Sequence, residues 1–482
     1  MTMSKDLKKI LDIGISLSSE KNSKKLLSKI LNFSMEISNC DAATLYLLKD
    51  DNLYFTLMRT KSLNISKGFD DEINLPPVNI NAKSVAAIAA KEKRIINIKD
   101  VYNDKKYDLE GPKKYDSLTG YHTKSMLVFP LMNKDDDILG VMQLINACDN
   151  NLKITSFRKN IVDVIYSLAS MTSILLLNDK LYEEINTLLD SFVNAMVSAI
   201  DQRTPYNAFH SINVKRLSVN FCHYLNDFNL AKIKENDIEE LKMASMLHDI
   251  GKIIIPIEVL NKANRFENKI DKMLLRYNLI LSEIKNNYLE NKIDLNKYNE
   301  LYNNVIDAKE FIIELNNKTF LTDDDIKKLD IIKEYKFNTA FGEFKIIEDD
   351  ELDDAYIKKG TLTNEERLII EKHAYYTHEI LKEISFGKKY SHVLDIASNH
   401  HEFLNGSGYP NHLTAKDLNI LNRIITIMDV YESLTSKDRP YKKPMPKEKA
   451  YSILEEMASF GKLDKTLVSY MKDFINSKYE IN

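Results

Sequence analysis

Cysteine is scarce in this chain. Its 482 residues contain three cysteines, Cys40, Cys148 and Cys222, which are odd in number and widely separated. A disulfide framework or a cysteine-based zinc site needs several thiols at characteristic spacings. The sequence argues against both, and we interpret the three cysteines as buried free thiols.

A basic surface and long apolar runs are also missing. The formal net charge of -4 leaves no electrostatic footprint for nucleic acid. The N-terminal segment carries charge but no apolar core of signal-peptide length, and no later run reaches about 18 uninterrupted apolar residues. We therefore expect a cytoplasmic protein with no nucleic-acid partner and no membrane segment.

The length of the chain predicts more than one domain. A single hydrophobic core seldom serves 482 residues, and 44% hydrophobic with 29% charged residues is typical of soluble globular proteins. The patterns below predict an α+β domain over 1–175, a connecting helix over 176–200 and an all-α domain over 201–482.

The first third of the sequence alternates between helical and strand-like patterns. Residues 24–37 have apolar side chains at spacings of three and four, which predicts an amphipathic helix. Two pairs of short apolar runs, 42–50 with 52–59 and 122–132 with 138–147, are separated by turn-forming residues. Helical periodicity returns at 157–177. The pattern predicts an antiparallel sheet flanked by helices.

The stretch SMLVFPLMNKDDDILGVMQLINA at 125–147 has the pattern of a β-hairpin that is typical of one family of sensor domains. On this stretch, residues 20–175 resemble a GAF domain, and the resemblance implies a sensor that binds a small molecule between its sheet and loops. The NKxxFxxxDE signature of the cyclic-nucleotide-binding subset is absent after Asn146. The GAF ligand therefore stays unknown, and a ligand-free role in dimerisation is the alternative.

Between the two halves, apolar residues follow the alternating four-three spacing of a coiled-coil seam. We interpret 176–200 as a signalling helix that forms a homodimer, and the alternative is that the stripe packs on its own domain. The seam consists of Leu181, Ile185, Leu188, Phe192, Ala195 and Ala199.

Histidine is concentrated in the second half. Only His122 precedes residue 200, and the other nine lie between His210 and His412. Histidine is the commonest metal ligand and acid-base residue, so this distribution indicates where the chemistry lies. The string MLHDIGK places His248 beside Asp249, and adjacent imidazole and carboxylate groups can bind one cation while the carboxylate bridges to a second.

A second string, HHEFLNGSGYP, begins with two consecutive imidazoles and continues into a glycine-rich turn at 400–410. Glycine removes side-chain bulk where a loop must approach a ligand closely. Further candidate ligands are His210, His373 and Asp429. Thr363 and Glu366 form a capping box that predicts the start of the helix carrying His373.

This ordered series resembles the HD-GYP family over about 195–262 and 360–480. The family's fold is an all-α HD-type domain, and its activity is the metal-dependent hydrolysis of cyclic di-GMP to pGpG or GMP. Two alternatives stay open: a catalytically inactive receptor for a cyclic dinucleotide, and an HD phosphohydrolase acting on another cyclic nucleotide.

The resemblance also implies site residues. Two divalent metal ions, iron or manganese, would be held with Asp249 as the bridge, and Lys252 would act beside Asp249 in catalysis. The implied metal ligands are His210, His248, Asp249, His373, His400, His401 and Asp429. The implied contacts to the cyclic dinucleotide are Gly408, Tyr409, Pro410, Arg439 and Lys442. Whether Tyr409 supports the loop or stacks on a base is left open.

The chain departs from the family in three places. The 125 positions between His248 and His373 far exceed the family's usual separation, which predicts a helical insertion over 263–359. That insertion could restrict substrate entry, bind a partner or simply be solvated. Asn405 stands where many members have Asp, which leaves fine substrate specificity open.

The third departure concerns the number of metal ions. Tyr206 occupies the position that supplies a further acidic ligand in some relatives, so we expect a dinuclear centre, with Asp201 as the nearest substitute for that ligand. Four histidines match no ligand position and are interpreted as surface or packing residues: His223, His378, His392 and His412.

Overall fold

The chain divides into two compact units, and the boundary between them falls after Leu189. A computed structural model supplies the coordinates. Tyr206, Arg439 and Lys442 lie outside the residues that the structure describes. The described residues are 22–68, 71, 73–149, 151–204, 209–339, 341–436 and 444–481.

The N-terminal unit is built on an antiparallel sheet with the strand order β3-β2-β1-β7-β6-β5. Two short strands extend it, because β4 pairs with β2 and β8 pairs with β7. The strands are β1 (Cys40–Lys49), β2 (Asn52–Thr60), β3 (Ile65–Lys67), β4 (Val78–Asn79), β5 (Ile96–Ile98), β6 (Met126–Met132), β7 (Ile138–Cys148) and β8 (Ile154–Thr155).

The hairpin predictions are confirmed. The β1 and β2 strands pair antiparallel from Lys49↔Asn52 to Ala42↔Thr60, and β6 pairs with β7 across the turn at Lys134 and Asp135. Successive side chains of β6 are apolar, and successive side chains of a strand point to opposite faces of the sheet, so each face needs a cover. The sequence correctly predicts the long strands.

Helices cover both faces of this sheet. On one face, α1 (Ser23–Ile37) and the first half of α4 (Lys159–Asp201) pack with the strands into one apolar core. On the other face, α2 (Val85–Glu92) contributes to a second core. The helix α3 (Glu110–Thr119) follows β5. The predicted helix over 24–37 is confirmed, and its apolar residues Leu27, Ile30, Leu31 and Met35 are buried as expected.

The long helix α4 is the connecting element. Its predicted seam is solvent-exposed, with Leu188 72% and Phe192 54% accessible, whereas Val193 and Val197 on another face are buried. The alternative that the stripe packs on its own domain is therefore wrong. By length and composition α4 is also the one described helix that passes as a membrane span, although its first half belongs to the sheet's core. The two-domain architecture is consistent with a cytoplasmic protein.

The C-terminal unit is mostly helical, as the sequence predicts. Its main helices outside the insertion are α5 (His210–Asp227), α6 (Glu235–Leu247), α7 (Ile257–Leu260), α12 (Asn364–Leu381), α13 (Val393–Ser398), α14 (Ile420–Thr435), α15 (Lys447–Ser459), α16 (Lys465–Phe474) and α17 (Lys478–Ile481). A short 3₁₀ turn, Ile250–Ile253, follows α6. The Thr363–Glu366 capping box opens α12 as expected.

The insertion forms a subdomain with its own apolar core. It contains α8 (Lys269–Leu289), α9 (Leu295–Asn316), α10 (Asp323–Ile332), α11 (Leu352–Ala355) and the hairpin of β9 (Lys336–Thr339) with β10 (Gly342–Lys345). Buried ion pairs accompany that core: Arg276 makes two hydrogen bonds to the carboxylate of Glu351, and Lys262 contacts Asp354. The region is therefore a packed structure and more than a solvated loop.

Candidate metal centre

Seven predicted ligands come together from five segments of the C-terminal unit. His210 begins α5, His248 and Asp249 follow α6, and His373 lies in the middle of α12. The remaining residues follow α13 or lie within α14. Six of the seven are buried, and His401 is partly exposed. The residues so gathered are His210, His248, Asp249, His373, His400, His401 and Asp429.

Close backbone contact brings two of these segments together. A Cβ atom on Gly251 would lie 2.0 Å from the carbonyl oxygen of His373, so only glycine allows the 3₁₀ turn to meet α12 at this distance. The hydroxyl of Thr377 then bridges the two segments. It accepts a hydrogen bond from the Gly251 amide and donates one to the carbonyl of His248.

One group of ligands surrounds His210. Its Nε2 lies 3.1 Å from Oδ1 of Asp429 and 3.3 Å from Nε2 of His248. The Nε2 of His248 lies 3.8 Å from the same Asp429 oxygen. One ligand atom from each of these three side chains lies within 4.8 Å of the others, which is close enough to hold one cation.

The second group consists of His373, His400 and His401. The Nε2 atoms of His373 and His400 are 3.3 Å apart. His401 presents Nδ1, which lies 3.7 Å from Oδ2 of Asp429. These three imidazoles also have ligand atoms within 4.8 Å of one another.

Asp249 lies between the two groups. Its Oδ2 faces His210 at 3.6 Å and His248 at 3.4 Å, while its Oδ1 faces His373 at 3.4 Å and His400 at 3.9 Å. Each carboxylate oxygen is thus directed at a different set of imidazoles. This is the geometry expected of a carboxylate shared by two cations.

The hydrogen bonds of the histidines indicate that the centre is built for metal. The Nδ1 atoms of His248, His373 and His400 each lie 2.6–2.8 Å from a backbone carbonyl three residues earlier. Since a carbonyl only accepts hydrogen bonds, each Nδ1 carries the proton and each Nε2 presents a lone pair. His373 and His400 then direct lone pairs at each other, and a cation between them resolves this repulsion.

Burial keeps most of these ligands in the state that binds metal. Burial, reinforced by the charge of His401, lowers the pKa of His373 to about 3, and burial lowers the pKa of His401 to about 4. Burial alone would raise the pKa of Asp249, but Lys252 and the surrounding histidines hold it well below its usual value. Neutral imidazoles around an ionised carboxylate are the form that coordinates a divalent ion.

His210 behaves differently because its partners are anionic. Burial opposes its charged form, yet hydrogen bonds to Asp429 and Glu432 raise its pKa to about 9. A metal ion binding at this position has to displace the proton on Nε2. Metal binding at His210 is therefore coupled to proton release.

The sequence reasoning missed Glu432, which holds His210 from behind. Its carboxylate accepts a hydrogen bond from Nδ1 of His210 at 2.5 Å and another from Asn213 at 3.1 Å. Carboxylate contacts of this kind fix the tautomer and ring orientation of a ligand histidine. Glu432 lies three residues after Asp429 on α14, so the i to i+3 spacing could have identified it.

The glycine-rich loop is fixed by another missed residue. Glu402 is buried, and its carboxylate accepts hydrogen bonds from the backbone amides of Asn411 and Leu413 at 2.6 and 2.9 Å. A Cβ on Gly408 would lie 2.4 Å from the amide nitrogen of Phe403, so the loop folds back tightly on itself.

The loop also carries three of the predicted substrate contacts. Gly408 is buried, whereas Tyr409 and Pro410 are partly exposed. The Tyr409 ring lies 4.8 Å from the His401 ring, which favours a supporting role for Tyr409. Asn405 is exposed and accepts from Ser407, while its amide donates to the carbonyl of Phe460.

Lys252 and Asp201 lie near the ligands. The Nζ of Lys252 is 2.5 Å from Oδ2 of Asp249, and its side chain is 15% exposed. Burial raises the pKa of Asp201 to about 6, and its carboxyl group lies within the electric field of His210 and Asp249. Among the described residues, three groups of side chains have ligand atoms close enough together to hold a metal ion, and neither Lys252 nor Asp201 belongs to any of them.

The other histidines lie elsewhere, as the sequence predicts. His378 and His412 are exposed, and His223 is half-buried. His392 contacts the buried carboxylate of Glu240 at 3.0 Å. In the part of the chain that the structure describes, none of these belongs to a metal-binding group.

Models of known domain families match both the N-terminal and the C-terminal part of the chain. The GAF domain model matches residues 23–176. One HD domain model matches residues 208–320, and a second HD domain model matches 350–467. The second HD match begins near the end of the insertion.

Among curated proteins, two relatives come from Vibrio cholerae. The "3'3'-cGAMP-specific phosphodiesterase 3" is 37% identical over 99 residues, which are 20% of this chain and 21% of the relative. The "3'3'-cGAMP-specific phosphodiesterase 1" is 38% identical over 107 residues, which are 22% of this chain and 24% of the relative.

A third relative, the "Cyclic di-GMP phosphodiesterase" of Thermotoga maritima, is 35% identical over 111 residues, 22% of this chain and 28% of the relative. The chain thus spans about a quarter of the length of these curated relatives. The HD domain implies binding of divalent metal, and the clustered histidines and aspartates provide ligands for it. The chain therefore consists of a GAF domain followed by an HD domain, an organisation consistent with the HD-GYP family.

Proposed function

We propose that the C-terminal unit hydrolyses cyclic di-GMP to pGpG or GMP with two divalent ions, iron or manganese. The observation that carries this proposal is the position of Asp249, whose two oxygens face two separate groups of imidazoles. One ion would be held by His210, His248, Asp249 and Asp429, and the other by Asp249, His373, His400 and His401. When bound, such a pair supplies Lewis acidity toward a phosphodiester and activates water for in-line attack.

The protein's own side chains would prepare the site for this reaction. Lys252 adds a positive charge beside Asp249, where it can stabilise negative charge on the phosphate. The loop of Gly408, Tyr409 and Pro410 would receive the dinucleotide, and Glu402 holds that loop in place. By resemblance, Arg439 and Lys442 would contact its phosphates or guanine edges, since the planar fork of arginine suits bidentate recognition.

Two other substrates or roles compete with this proposal. Two of the relatives described above are named 3'3'-cGAMP-specific, so a mixed cyclic dinucleotide is the second candidate substrate. A catalytically inactive receptor would bind the dinucleotide without cleaving it. The convergence of all seven ligand side chains favours the enzyme.

The decisive test is a product analysis. Protein reconstituted with iron or manganese without air is incubated with cyclic di-GMP, 3'3'-cGAMP, cyclic AMP and cyclic GMP, and the products are identified by mass spectrometry. We expect pGpG or GMP from cyclic di-GMP, and loss of turnover in His248→Ala but not in His378→Ala. Binding without any product would support the receptor. Faster turnover of 3'3'-cGAMP than of cyclic di-GMP would make 3'3'-cGAMP the substrate in place of cyclic di-GMP.

The exposed stripe on α4 supports a second proposal, that the chain forms a homodimer through this helix. Leu181, Ile185, Leu188 and Phe192 recur at coiled-coil spacing and are 44–72% exposed, which leaves an apolar seam without a cover in a single chain. A parallel helix pair would give the GAF domain a means of influencing the enzyme. Such regulation by the GAF domain is part of this proposal.

Substitution in the seam tests the dimer. Leu188→Lys places like charges opposite each other in an apolar interface and should weaken self-association at least about tenfold. The exposed neighbour Glu183→Lys is the matched control, because it lies on the side of the helix opposite the stripe. Equal masses of Leu188→Lys and the parent by light scattering across a dilution series would overturn the dimer.

A further inference from the structure

Lys262 stands directly before the insertion, and its ammonium group lies between two carboxylates. Its Nζ is 2.6 Å from Oδ1 of Asp354, on α11 of the insertion, and 2.9 and 2.8 Å from the two carboxylate oxygens of Glu366, on α12. The side chains of Lys262 and Asp354 are each 5% exposed. Water screens buried charges little, so these contacts fasten the insertion to α12 more firmly than an exposed ion pair would.

The same side chains also join the two ends of the insertion. The second oxygen of Asp354 lies 2.7 Å from Nζ of Lys269, at the start of α8. The hydroxyl of Thr361 donates a hydrogen bond to the carbonyl of Lys262 at 3.1 Å. Cations and carboxylates thus alternate in the order Lys269, Asp354, Lys262 and Glu366. The first and last helices of the insertion therefore meet α12 at one balanced ion network.

Glu366 and His373 share one face of α12. They are seven positions apart, which is close to two turns and about 10 Å along the helix axis. Thr377 lies one turn beyond His373 and is hydrogen-bonded to the backbone of His248 and Gly251. The metal ligand His373 therefore lies between two points at which this face of the helix is fastened.

Apolar packing contributes little to the first half of α12. Every residue from Asn364 to Lys372 is exposed or partly exposed, and burial begins at His373. A helix that is fastened only from its middle onward can pivot about that point. Because a metal–ligand distance tolerates only about 0.2 Å, even a small pivot would weaken coordination by His373.

We propose that Lys262 is a positioning residue for the metal centre. Its contacts with Asp354 and Glu366, which we call the brace, hold the first half of α12. They keep His373 where it can share an ion with His400 and His401. The insertion then supports the second ligand group, which is a different role from that of a lid or a solvated loop. This inference rests on the proposed pair of metal ions.

A metal titration tests the brace. Metal-free, full-length protein is titrated with Mn²⁺, and the EPR signal of free Mn²⁺ reports the unbound ion. The parent should bind two ions per chain. His373→Ala should abolish one binding step, which assigns that step to the second ligand group, and His210→Ala should abolish the other.

Lys262→Met should weaken the step assigned to the second group about 10- to 100-fold, as for other residues that orient metal ligands, and leave the other step within about twofold of the parent. The exposed Lys272→Met on α8 removes the same charge and should bind Mn²⁺ like the parent. Glu351→Gln breaks a buried ion pair of the insertion that does not include α12, so it should change neither step. Parental binding in Lys262→Met, or an equal loss in Glu351→Gln, would overturn the brace.

A double variant tests whether Lys262 acts through Glu366. Glu366→Gln alone should weaken the same binding step. Lys262→Met combined with Glu366→Gln should weaken it no more than Lys262→Met does, because both substitutions remove the same contact. Additive losses would overturn the assignment. If Lys262→Met does not fold by circular dichroism, Glu366→Gln, at a side chain 23% exposed, takes its place in the comparison with Glu351→Gln.

The titration contains no dinucleotide, so it separates this inference from the proposed hydrolysis. A parent that binds a single ion would overturn the proposed centre and the brace together. A parent that binds two ions, with parental binding in Lys262→Met, would overturn the brace alone.

Discussion

The metal centre and the inserted subdomain both bury ionisable side chains, but they satisfy them differently. In the insertion, Arg276 and Glu351 are at most 5% exposed and form a two-point ion pair. In the metal centre, His373 and His400 direct nitrogen lone pairs at each other across 3.3 Å. In the first arrangement the two opposite charges neutralise each other within the protein, whereas the second arrangement needs a cation.

This difference separates structural from functional burial. A buried ion pair whose partners satisfy each other contributes to the integrity or specificity of the fold. Buried groups with opposed lone pairs lose stability unless something binds between them. The same unit thus contains buried charges of both kinds, and substitutions in each should have separable effects on metal content and on folding.

The largest effect is expected from Asp249→Asn. The amide keeps the shape of the side chain but cannot bridge two cations, because one of its two ligand atoms becomes an NH₂ group. Bridging metals stabilise the transition state by several kcal/mol, so turnover should fall by at least about a thousandfold. Metal content should fall from about two ions per chain, as measured by plasma mass spectrometry.

The partly exposed Asp237→Asn in the first turn of α6 is the matched control and should retain both metal and turnover. A variant at Asp249 that keeps two ions and parental turnover would remove the basis of the proposed centre. A reproducible three ions in the parent, lost on Asp201→Ala, would instead show that the centre is trinuclear.

Glu351→Gln should have the next largest effect, on stability rather than on metal. It leaves the buried guanidinium of Arg276 without its anionic partner, and breaking such a pair costs about 3 kcal/mol in unfolding free energy. Calorimetry of the metal-free protein should show the C-terminal unit melting earlier, while the metal content stays parental. The exposed Glu310→Gln should change neither. Loss of metal on Glu351→Gln would contradict the separation of the two regions.

A smaller effect is expected from Glu432→Ala. Removing the carboxylate behind His210 should weaken metal binding about 10- to 100-fold, as for other partners of ligand histidines. Glu432→Gln still offers an oxygen to Nδ1 and should recover much of that affinity. Affinity is measured by competition with a chelator, and Glu456→Ala on α15 is an exposed control. Parental affinity in Glu432→Ala would mean that His210 needs no anchoring.

The sequence predicts the parts of this molecule whose signal is local. The helix at 24–37 and the hairpins β1–β2 and β6–β7 have apolar patterns typical of helices and strands, and four of the seven metal ligands stand in two adjacent pairs, His248–Asp249 and His400–His401. The short strands β3, β4, β5 and β8 have two or three residues each and are not predicted, because their pairing depends on neighbours distant in sequence.

The same reasoning explains which supporting residues were missed. Thr377 and Glu402 act through hydrogen bonds to backbone groups that only the folded chain brings near. Glu432 left a weak signal in its spacing from Asp429, but an isolated glutamate on a helix resembles any solvated residue. The hairpin in the insertion depends on the pairing of β9 with β10, which the predicted helical insertion did not include.

The backbone contact at Gly251 has a mechanical consequence. The turn after Asp249 and the helix carrying His373 touch so closely that a Cβ would have no room, and Thr377 fastens them with two hydrogen bonds. One segment cannot slide past the other without breaking this joint. Any movement that changes the distance between the two ligand groups must therefore move both segments together. Control of the centre would then involve tilting of whole helices rather than rearrangement of a single loop.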